Sequence, residues 1–209
     1  MDDRIIPTLT TERLRLRPLR AGDIDDYAAL YADPEVTRGF GLRVPFARDA
    51  DWRHMTYVVG HWHVRGFGEW AVEDRATGAF LGLTGFVQPE GWPGFELAWA
   101  LARHAWGHGY ATEGARAALD YAFTTLGRDR VISLIRPENR ASIRVALRLG
   151  EYLQGSTEWM GKEFLVYGIE RADHPPLRTP RSAPTGSLLD FQAYLNAPAD
   201  PPPPPRAGR

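Results

Sequence analysis

Two short turn segments restrict how the strands of this chain can be arranged. Asp74–Gly78 and Gly161–Lys162 have the composition of hairpin turns, and strand-like segments flank each of them. Turns this short join antiparallel neighbours, because a parallel pair needs a crossover of roughly a dozen residues or more. The strands are therefore expected to form a largely antiparallel sheet.

The remaining segments show either strand or helix periodicity. Residues 13–17 alternate polar and apolar side chains as a half-buried strand does, and helical spacing begins at Ile24, behind a potential N-cap at Asp23. Gly150 is predicted to end the last helix. The predicted elements, in chain order, are strand 13–17, a helix after Asp23, a helix with Trp52, Met55, Val59 and Trp62 on one stripe, strands 69–73, 79–86 and 95–101, helix 112–126, strand 131–135, helix 139–149, and strands 152–160 and 163–169. This order predicts an α+β (mixed α/β) domain, with one sheet of about seven strands and about four helices.

Proline content divides the chain into a domain and a tail. Of the 17 prolines, ten lie from Pro175 onward, where they fix an extended backbone without ladder donors. We therefore expect one domain over residues 8–173 and a mostly disordered tail over 174–209. Residues 187–195 have apolar side chains at helical spacing and are a potential short helix; a transient turn in the tail explains them equally well.

Composition excludes several classes of protein. The 25 basic and 26 acidic residues give a net charge of -1, which argues against a general nucleic-acid binder. The chain has no cysteine, so a disulfide framework, a thiol nucleophile and an iron–sulfur cluster are excluded. No apolar run approaches the roughly 20 residues that span a bilayer, and Met1–Arg4 does not resemble a signal peptide. We expect a cytoplasmic protein.

The pair of histidines in His61-Trp62-His63 suggests a metal site at first sight. On a helix, however, residues two apart point to different faces, and no carboxylate–histidine set accompanies them. We predict no metal.

The most informative segment, Trp106–Thr112, lies between a predicted strand and a predicted helix. Gly107 and Gly109 allow a tight turn and the close approach of a ligand, because glycine has no Cβ. The following helix offers unpaired N–H groups and the positive end of its dipole, which suits a phosphate. A tight turn without a ligand explains the glycines equally well. Thr112 stands where the dinucleotide fingerprint needs glycine, and no Walker sequence occurs.

A second segment of interest starts the helix over 139–149. Asn139 and Ser142 are three residues apart, so their side chains share a face. A simple N-cap also explains Asn139.

Taken together and in this order, these segments resemble the Gcn5-related N-acetyltransferases (GNAT), and more closely the RimJ/RimL branch, which acetylates the N-termini of ribosomal proteins. The resemblance covers residues 8–171. It is carried by Thr11–Arg17 (first strand), Gly68–Val72 and Thr77–Gly85 (second and third), Glu96–Trp99 (fourth), Trp106–Glu113 (pyrophosphate loop) and Asn139–Ser142 with Leu149-Gly150 (next helix).

The resemblance implies a splayed sheet and an acetyl-CoA cosubstrate. The pantetheine arm would lie where the fourth and fifth strands separate, and Asn139 and Ser142 would face it near the thiol. The residues expected to contact the cosubstrate through the strand and the loop are Ala100, Leu101, Ala102, Trp106, Gly107, His108, Gly109, Tyr110, Ala111 and Thr112.

The resemblance specifies the catalytic residues less completely than it specifies the cosubstrate contacts. Many relatives protonate the leaving thiolate with a tyrosine, whose position here is Ala146. In the ribosomal-protein branch a serine and a glutamate are the proposed groups. We therefore predict Ser142 near the thiol and Glu158 or Glu96 as base through water, although a solvated strand position explains each glutamate too. We expect Glu158→Gln to lower kcat more than Ser142→Ala changes acetyl-CoA affinity.

The expected reaction is direct attack of a primary amine on acetyl-CoA in a ternary complex. The acceptor is either a protein N-terminal α-amine or a small-molecule amine. An alternative, favoured by Ala146 and the proline-rich tail, is a non-catalytic acyl-CoA-binding or scaffold protein on the same fold. We expect acetyl-CoA and the amine as partners, neither nucleic acid nor membrane, and a monomer or homodimer.

Overall fold

The computed structural model describes residues 6–39 and 48–174, which contain an eight-stranded sheet flanked by helices. The sheet order is β1-β2-β3-β4-β5-β6-β8-β7. The strands are β1 (Leu9–Thr10), β2 (Leu14–Arg17), β3 (Glu69–Asp74), β4 (Phe80–Val87), β5 (Glu96–Leu101), β6 (Arg130–Ile135), β7 (Tyr152–Trp159) and β8 (Lys162–Glu170). The α-helices are α1 (Ile24–Ala32), α2 (Pro34–Gly39), α3 (Arg48–Arg65), α4 (Tyr110–Thr124) and α5 (Arg140–Leu149).

Every strand pairing in the described sheet is antiparallel except that of β5 with β6. The parallel pair has a single register position, Glu96 opposite Ile132. Beyond it the two strands separate. The expected mixed α/β domain with a splayed, largely antiparallel sheet is therefore confirmed.

Helices cover both faces of the sheet because each contributes an apolar stripe. The alanines and Leu119 of α4, together with Val145 of α5, form one cluster of buried residues with Leu97 and Leu101 of β5. On the opposite face the second cluster of buried residues comprises Tyr27, Leu30, Met55, Val58, Ala71, Leu83 and Ala100, which come from α1, α3 and the central strands. Glu96 and Ala100, four residues apart in β5, share the face of the sheet that α1 and α3 cover, whereas α5 lies on the other face.

Two elements escaped the sequence patterns, and one cap was assigned wrongly. β1 has two residues and α2 has six, too few to show periodicity. Asp23 makes no capping hydrogen bond to α1. Its carboxylate instead accepts two hydrogen bonds from Arg17, each of 2.8 Å, and one from the Arg20 N–H.

The Asp23 carboxylate belongs to a buried charge cluster rather than to a helix end. Arg17 also donates to Glu73 at 2.5 Å, so one guanidinium faces two carboxylates. Burial opposes ionisation of Asp23, but the Arg17 hydrogen bonds and charge hold the pKa of Asp23 below its ordinary value. The ion pair therefore ties β2 and β3 to the start of α1.

Several further expectations have definite outcomes. Gly150 ends α5 in the left-handed conformation with φ 92°, as predicted. Trp52 is 46% exposed and does not belong to the buried stripe of α3. The expected helix over 187–195, and all of the expected tail over 174–209 except its first residue, lie outside the described residues. Within residues 6–39 and 48–174, none of the helices has the length and apolar character needed to cross a bilayer.

Candidate functional site

The gap between β5 and β6 opens where side chains replace the backbone partners in the hydrogen bonds between the two strands. Ile132 N–H still donates to the Phe95 carbonyl at 3.0 Å. At the next step Leu134 N–H points to the Glu96 carboxyl at 3.3 Å, and the Leu97 carbonyl accepts from the Ser133 hydroxyl at 2.9 Å. A continuing parallel ladder would have joined Leu134 N–H to the Leu97 carbonyl. Glu96 and Ser133 therefore end the pairing and hold the strands apart.

The edge of β5 beyond this point presents backbone groups to the gap. Ala102 N–H donates to the Leu81 carbonyl at 2.9 Å, so Ala102 and, by alternation, Ala100 direct their backbone groups toward β4. Trp99 and Leu101 direct theirs toward the gap. A pantetheine amide in the gap would pair with these two residues, of which the sequence predicted Leu101.

The loop before α4 forms a row of free backbone donors. Gly107 and Gly109 adopt φ of 79° and 81°, a region that disfavours residues with a Cβ. The first helical hydrogen bond of α4 runs from Glu113 N–H to the Gly109 carbonyl. Within the part of the chain that the structure describes, the N–H groups from Gly107 to Thr112 have no backbone acceptor. A pyrophosphate fits this row and the positive end of the α4 dipole.

The loop is anchored from two sides. The Trp106 indole N–H donates to the Leu101 carbonyl at 2.7 Å, which joins the loop to the edge of β5. On the other side Arg13 donates to the His108 carbonyl at 2.9 Å. The predicted loop residues thus form one continuous surface with the β5 edge.

The start of α5 lies next to Trp99 of β5. The Asn139 Oδ1 accepts from Ser142 N–H at 3.1 Å, which makes Asn139 the N-cap of α5. The Ser142 hydroxyl accepts from the Trp99 indole at 3.2 Å. Because that bond uses a lone pair of Ser142, its own hydrogen is available to a second group, such as a thiolate at the gap.

Glu96 is a buried carboxyl at the mouth of the gap, with 7% of its surface exposed. One oxygen accepts from the Trp92 indole at 2.6 Å, and the other faces Leu134 N–H. Burial raises the pKa of Glu96 to about 8, even though these two hydrogen bonds favour the ionised form. A carboxyl with this pKa can accept a proton from an amine near neutral pH.

Glu158, the other predicted base, has different surroundings. It lies on β7 opposite Glu163 of β8, and its side chain is exposed. Its neighbour Trp159 packs edge-on against Trp92 with ring centroids 5.1 Å apart. The hairpin therefore covers the Trp92–Glu96 pair while Glu158 itself faces solvent.

Glu151 is a second buried carboxyl, and it lies behind the gap next to Ser133 of β6. It is 2% exposed, its Oε1 is 3.0 Å from the Ser133 hydroxyl, and its Oε2 has no hydrogen-bond partner among the described residues. The Ser133 hydrogen can serve the Leu97 carbonyl or Glu151, not both. A protonated Glu151 that donates to Ser133 satisfies both contacts. Burial raises the pKa of Glu151 to about 8, consistent with this arrangement.

Sequence reasoning missed Glu69. Gly85 is opposite both Glu69 and Ala98, and cross-strand partners share a face, so Glu69 lies on the same face as Glu96. Burial raises the pKa of Glu69 to about 7, and its charge raises the pKa of Glu96. The aromatic stripe of α1 and α3 facing a strand that begins with glutamate was the available signal.

That aromatic stripe borders the same face of the sheet. The Tyr27 hydroxyl is 2.8 Å from His54 Nδ1, and the Tyr31 ring packs edge-on against His54. Burial first, and then the charge of Glu69, raise the pKa of Tyr57. The α1–α3 side of the gap is therefore a polar, acidic and aromatic surface.

His61, the first histidine of the His61-Trp62-His63 segment, is engaged inside the fold. His61 Nδ1 lies 2.8 Å from the Phe67 carbonyl, and its Nε2 is 3.3 Å from Gln88 N–H. Both ring nitrogens are thus used inside the fold. Among the residues of the described ranges, no group of three or more His, Asp or Glu side chains could hold a metal ion.

Comparisons with known proteins give the same fold and a family. The family described as "Acetyltransferase (GNAT) domain" matches residues 13–151. The uncharacterized protein YkkB of Bacillus subtilis is 36% identical over 168 residues, 76% of this chain and 93% of that protein. A crystal structure of an acetyltransferase from Agrobacterium tumefaciens is 36% identical with a TM-score of 0.71, covering 79% of this chain and 95% of that one.

A further solved structure shares the fold at lower identity. Spermidine N-acetyltransferase from Vibrio cholerae, in complex with CoA and spermine, superposes with a TM-score of 0.66 at 19% identity, covering 78% of this chain and 98% of that one. The family match favours an enzyme over the non-catalytic alternative. The chain therefore belongs to the GNAT family of acetyltransferases, acyltransferases that use acetyl-CoA.

Proposed function

We propose that this enzyme transfers the acetyl group of acetyl-CoA to a primary amine by direct attack in a ternary complex. The observation that carries the proposal is Glu96, a buried carboxyl of raised pKa at the mouth of the β5–β6 gap. It lies on the face of the sheet that bears Glu69 and the tyrosines of α1. The acceptor amine would enter from that face, while acetyl-CoA occupies the gap and the α4 loop.

The proton balance favours an α-amine over a lysine side chain. An α-ammonium has a pKa near 7.7–8.0, roughly that of Glu96, whereas a lysine ammonium is near 10.4. Glu96 in its ionised form can take the α-ammonium proton at little cost, directly or through water. The neutral nitrogen then attacks the acetyl carbon. As the N–C bond forms and the C–S bond breaks, the nitrogen loses a second proton, which balances the proton that the departing thiolate gains.

The departing thiolate needs a proton, and Ser142 is the proposed donor; its hydroxyl recovers the proton that the attacking nitrogen loses, directly or through water. Its hydroxyl is oriented by the Trp99 indole and lies on the first turn of α5. Ala146, which stands where many relatives have a tyrosine, is fully buried in the core and offers no proton. The proposed mechanism has no step that requires a metal.

The acceptor remains of two kinds in this proposal. A protein N-terminal α-amine, as in the RimJ/RimL branch, and a small α-amine both match the pKa of Glu96. The acidic and aromatic residues of α1, α3 and β3 support a positively charged acceptor of either kind. The proposal also includes action in the cytoplasm as a monomer or homodimer, with neither nucleic acid nor membrane as a partner.

Turnover with acetyl-CoA and a panel of amines tests the proposal. Amino acid amides, short peptides with a free α-amine and an uncharged first side chain, and polyamines should be compared, with CoA release as the readout. We expect kcat/KM to rise with pH with a midpoint near 8, and Glu96→Gln to lower it by about 100-fold or more. Glu158→Gln is the matched comparison. If Glu96→Gln retains full activity while Glu158→Gln loses it, the base is Glu158 and the present assignment is wrong.

A further inference from the structure

Arg13, in the turn before β2, is bound to the start of α4 by four kinds of contact. Its Nε donates to the Glu113 carboxylate at 2.7 Å, and its Nη2 lies 2.6 Å from the same oxygen. Its Nη1 donates to the His108 carbonyl at 2.9 Å. Its guanidinium stacks over the Tyr110 ring at 4.7 Å, and its backbone N–H donates to Glu113.

Glu113 poses an electrostatic problem for an anion site. It lies in the first turn of α4, the end of the helix where a pyrophosphate would bind to the free N–H groups. The helix dipole attracts a phosphate to this end of α4. An unpaired carboxylate at the same end would repel the phosphate and oppose that attraction. Arg13 is the cation that neutralises this carboxylate, and Thr11 adds a hydroxyl bond to it at 2.6 Å.

The contact with the His108 carbonyl has a second effect. In a trans peptide the C=O and the following N–H point in opposite directions. With the His108 carbonyl directed to Arg13, the Gly109 N–H is directed away from Arg13, on the side of the other free donors. Arg13 thus orients a peptide of the loop as well as compensating a charge.

We propose that Arg13 is a positioning residue of the acetyl-CoA site, which it makes competent by neutralising Glu113 and by orienting the His108–Gly109 peptide. This inference rests on the proposed cosubstrate site. It gives the Thr11-Glu12-Arg13 segment a role in cosubstrate binding. The proposed acetyl-transfer steps themselves do not involve this segment. Arg13 is about half exposed, so its replacement leaves the core intact.

The test measures the Kd of CoA by calorimetry for the full chain and three variants. We expect Arg13→Met to weaken CoA binding by about 10–100-fold, because it exposes the phosphates to an unpaired carboxylate. Glu113→Gln alone should change Kd by less than about 3-fold. The double variant should recover most of the loss, since it removes the carboxylate that Arg13 was compensating.

Arg15→Met is the matched control. Arg15 is exposed to a similar degree, 47% against 44%, and it also pairs with a glutamate, Glu73, at 2.7 Å, but it does not touch the loop. Its loss should leave the Kd of CoA unchanged. Equal Kd values for wild type and Arg13→Met, or a defect that Glu113→Gln does not relieve, would overturn the proposal.

Arg13→Lys keeps the test decisive if Arg13→Met does not fold. Lysine retains the charge but cannot bind Glu113 and the His108 carbonyl together. We expect KM for acetyl-CoA to rise several-fold while kcat at saturation is preserved; a fall in kcat with constant KM would contradict a positioning role. Failure of the wild-type protein to bind CoA would instead refute the proposed function.

Discussion

Replacing Glu151 by glutamine should flatten the pH dependence of folding stability. Glu151 is almost fully buried and contacts Ser133 through one oxygen, while the other oxygen has no hydrogen-bond partner in the part of the chain that the structure describes. The folded protein therefore keeps its proton to about pH 8, whereas an unfolded chain releases it near the ordinary glutamate value. Between these two pH values the unfolded state binds fewer protons, so the free energy of unfolding falls as the pH rises.

The size of the effect follows from the pKa of about 8. At roughly 1.36 kcal/mol per pH unit, the two units from pH 6 to 8 correspond to a loss of about 2–3 kcal/mol from this group by pH 9. Glutamine is nearly isosteric, and its amide N–H can donate to Ser133 as the protonated carboxyl does. At pH 6 we expect Glu151→Gln to lie within about 1 kcal/mol of wild type.

Urea unfolding at pH 6 and pH 9 measures this loss. Glu96 and Glu69 also have raised pKa values and lower wild-type stability in the same direction, so the informative quantity is the difference between the two proteins. Glu151→Gln should lose about 2–3 kcal/mol less than wild type over this interval. Glu158→Gln, at an exposed position, is the control and should follow wild type.

An equal loss in wild type and Glu151→Gln would refute the reasoning. It would mean that Glu151 is ionised throughout this pH range and that water or a rearranged donor satisfies its second oxygen. A variant that is destabilised at both pH values, by the same amount, would likewise show that packing rather than protonation dominates at this position.

Three other predictions concern the site. Ser142→Ala should lower kcat by about 10–100-fold with little change in the Kd of CoA. Trp99→Phe removes the indole that orients Ser142 and should lower kcat by a smaller factor. If Ser142→Ala changes only the Kd of CoA, Ser142 is not the proton donor. Gly109→Ala should cost about 1 kcal/mol of stability in urea titrations and weaken CoA binding, because φ is 81° there; wild-type values for both would contradict this. Glu69→Gln should shift the pH midpoint of kcat/KM downward, since one negative charge near Glu96 is lost; an unchanged midpoint would show that the two carboxyls do not interact.

Local patterns in the chain determined most of the architecture. Alternation in 13–17, the hairpin turns at Asp74–Gly78 and Gly161–Lys162, and the stop at Gly150 each depend on neighbours within a few residues. The glycines of the α4 loop also act locally, because their positive φ values are required by the turn itself. For this reason the longer elements, the sheet type and the glycine loop before α4 could be predicted from the sequence.

Only the tertiary structure decided which glutamates are buried and have a raised pKa. Burial and long-range partners set the pKa of a carboxyl, and neither is visible in a strand pattern. Glu96 and Glu158 looked alike in the sequence, yet one is enclosed by Trp92 and Leu134 while the other faces solvent. Glu69 came to the same face as Glu96 only through the register of three strands.

The pairing of Arg13 with the α4 loop is of the same kind. About 100 residues separate Arg13 from Glu113, and no local rule relates them. The amino-acid sequence determined that a strand, a glycine loop and a helix would form; the packing of β2 beside α4 decided that one arginine would neutralise the carboxylate at the end of that helix. Local propensity acts over a few residues, whereas charge compensation depends on distance in the folded chain.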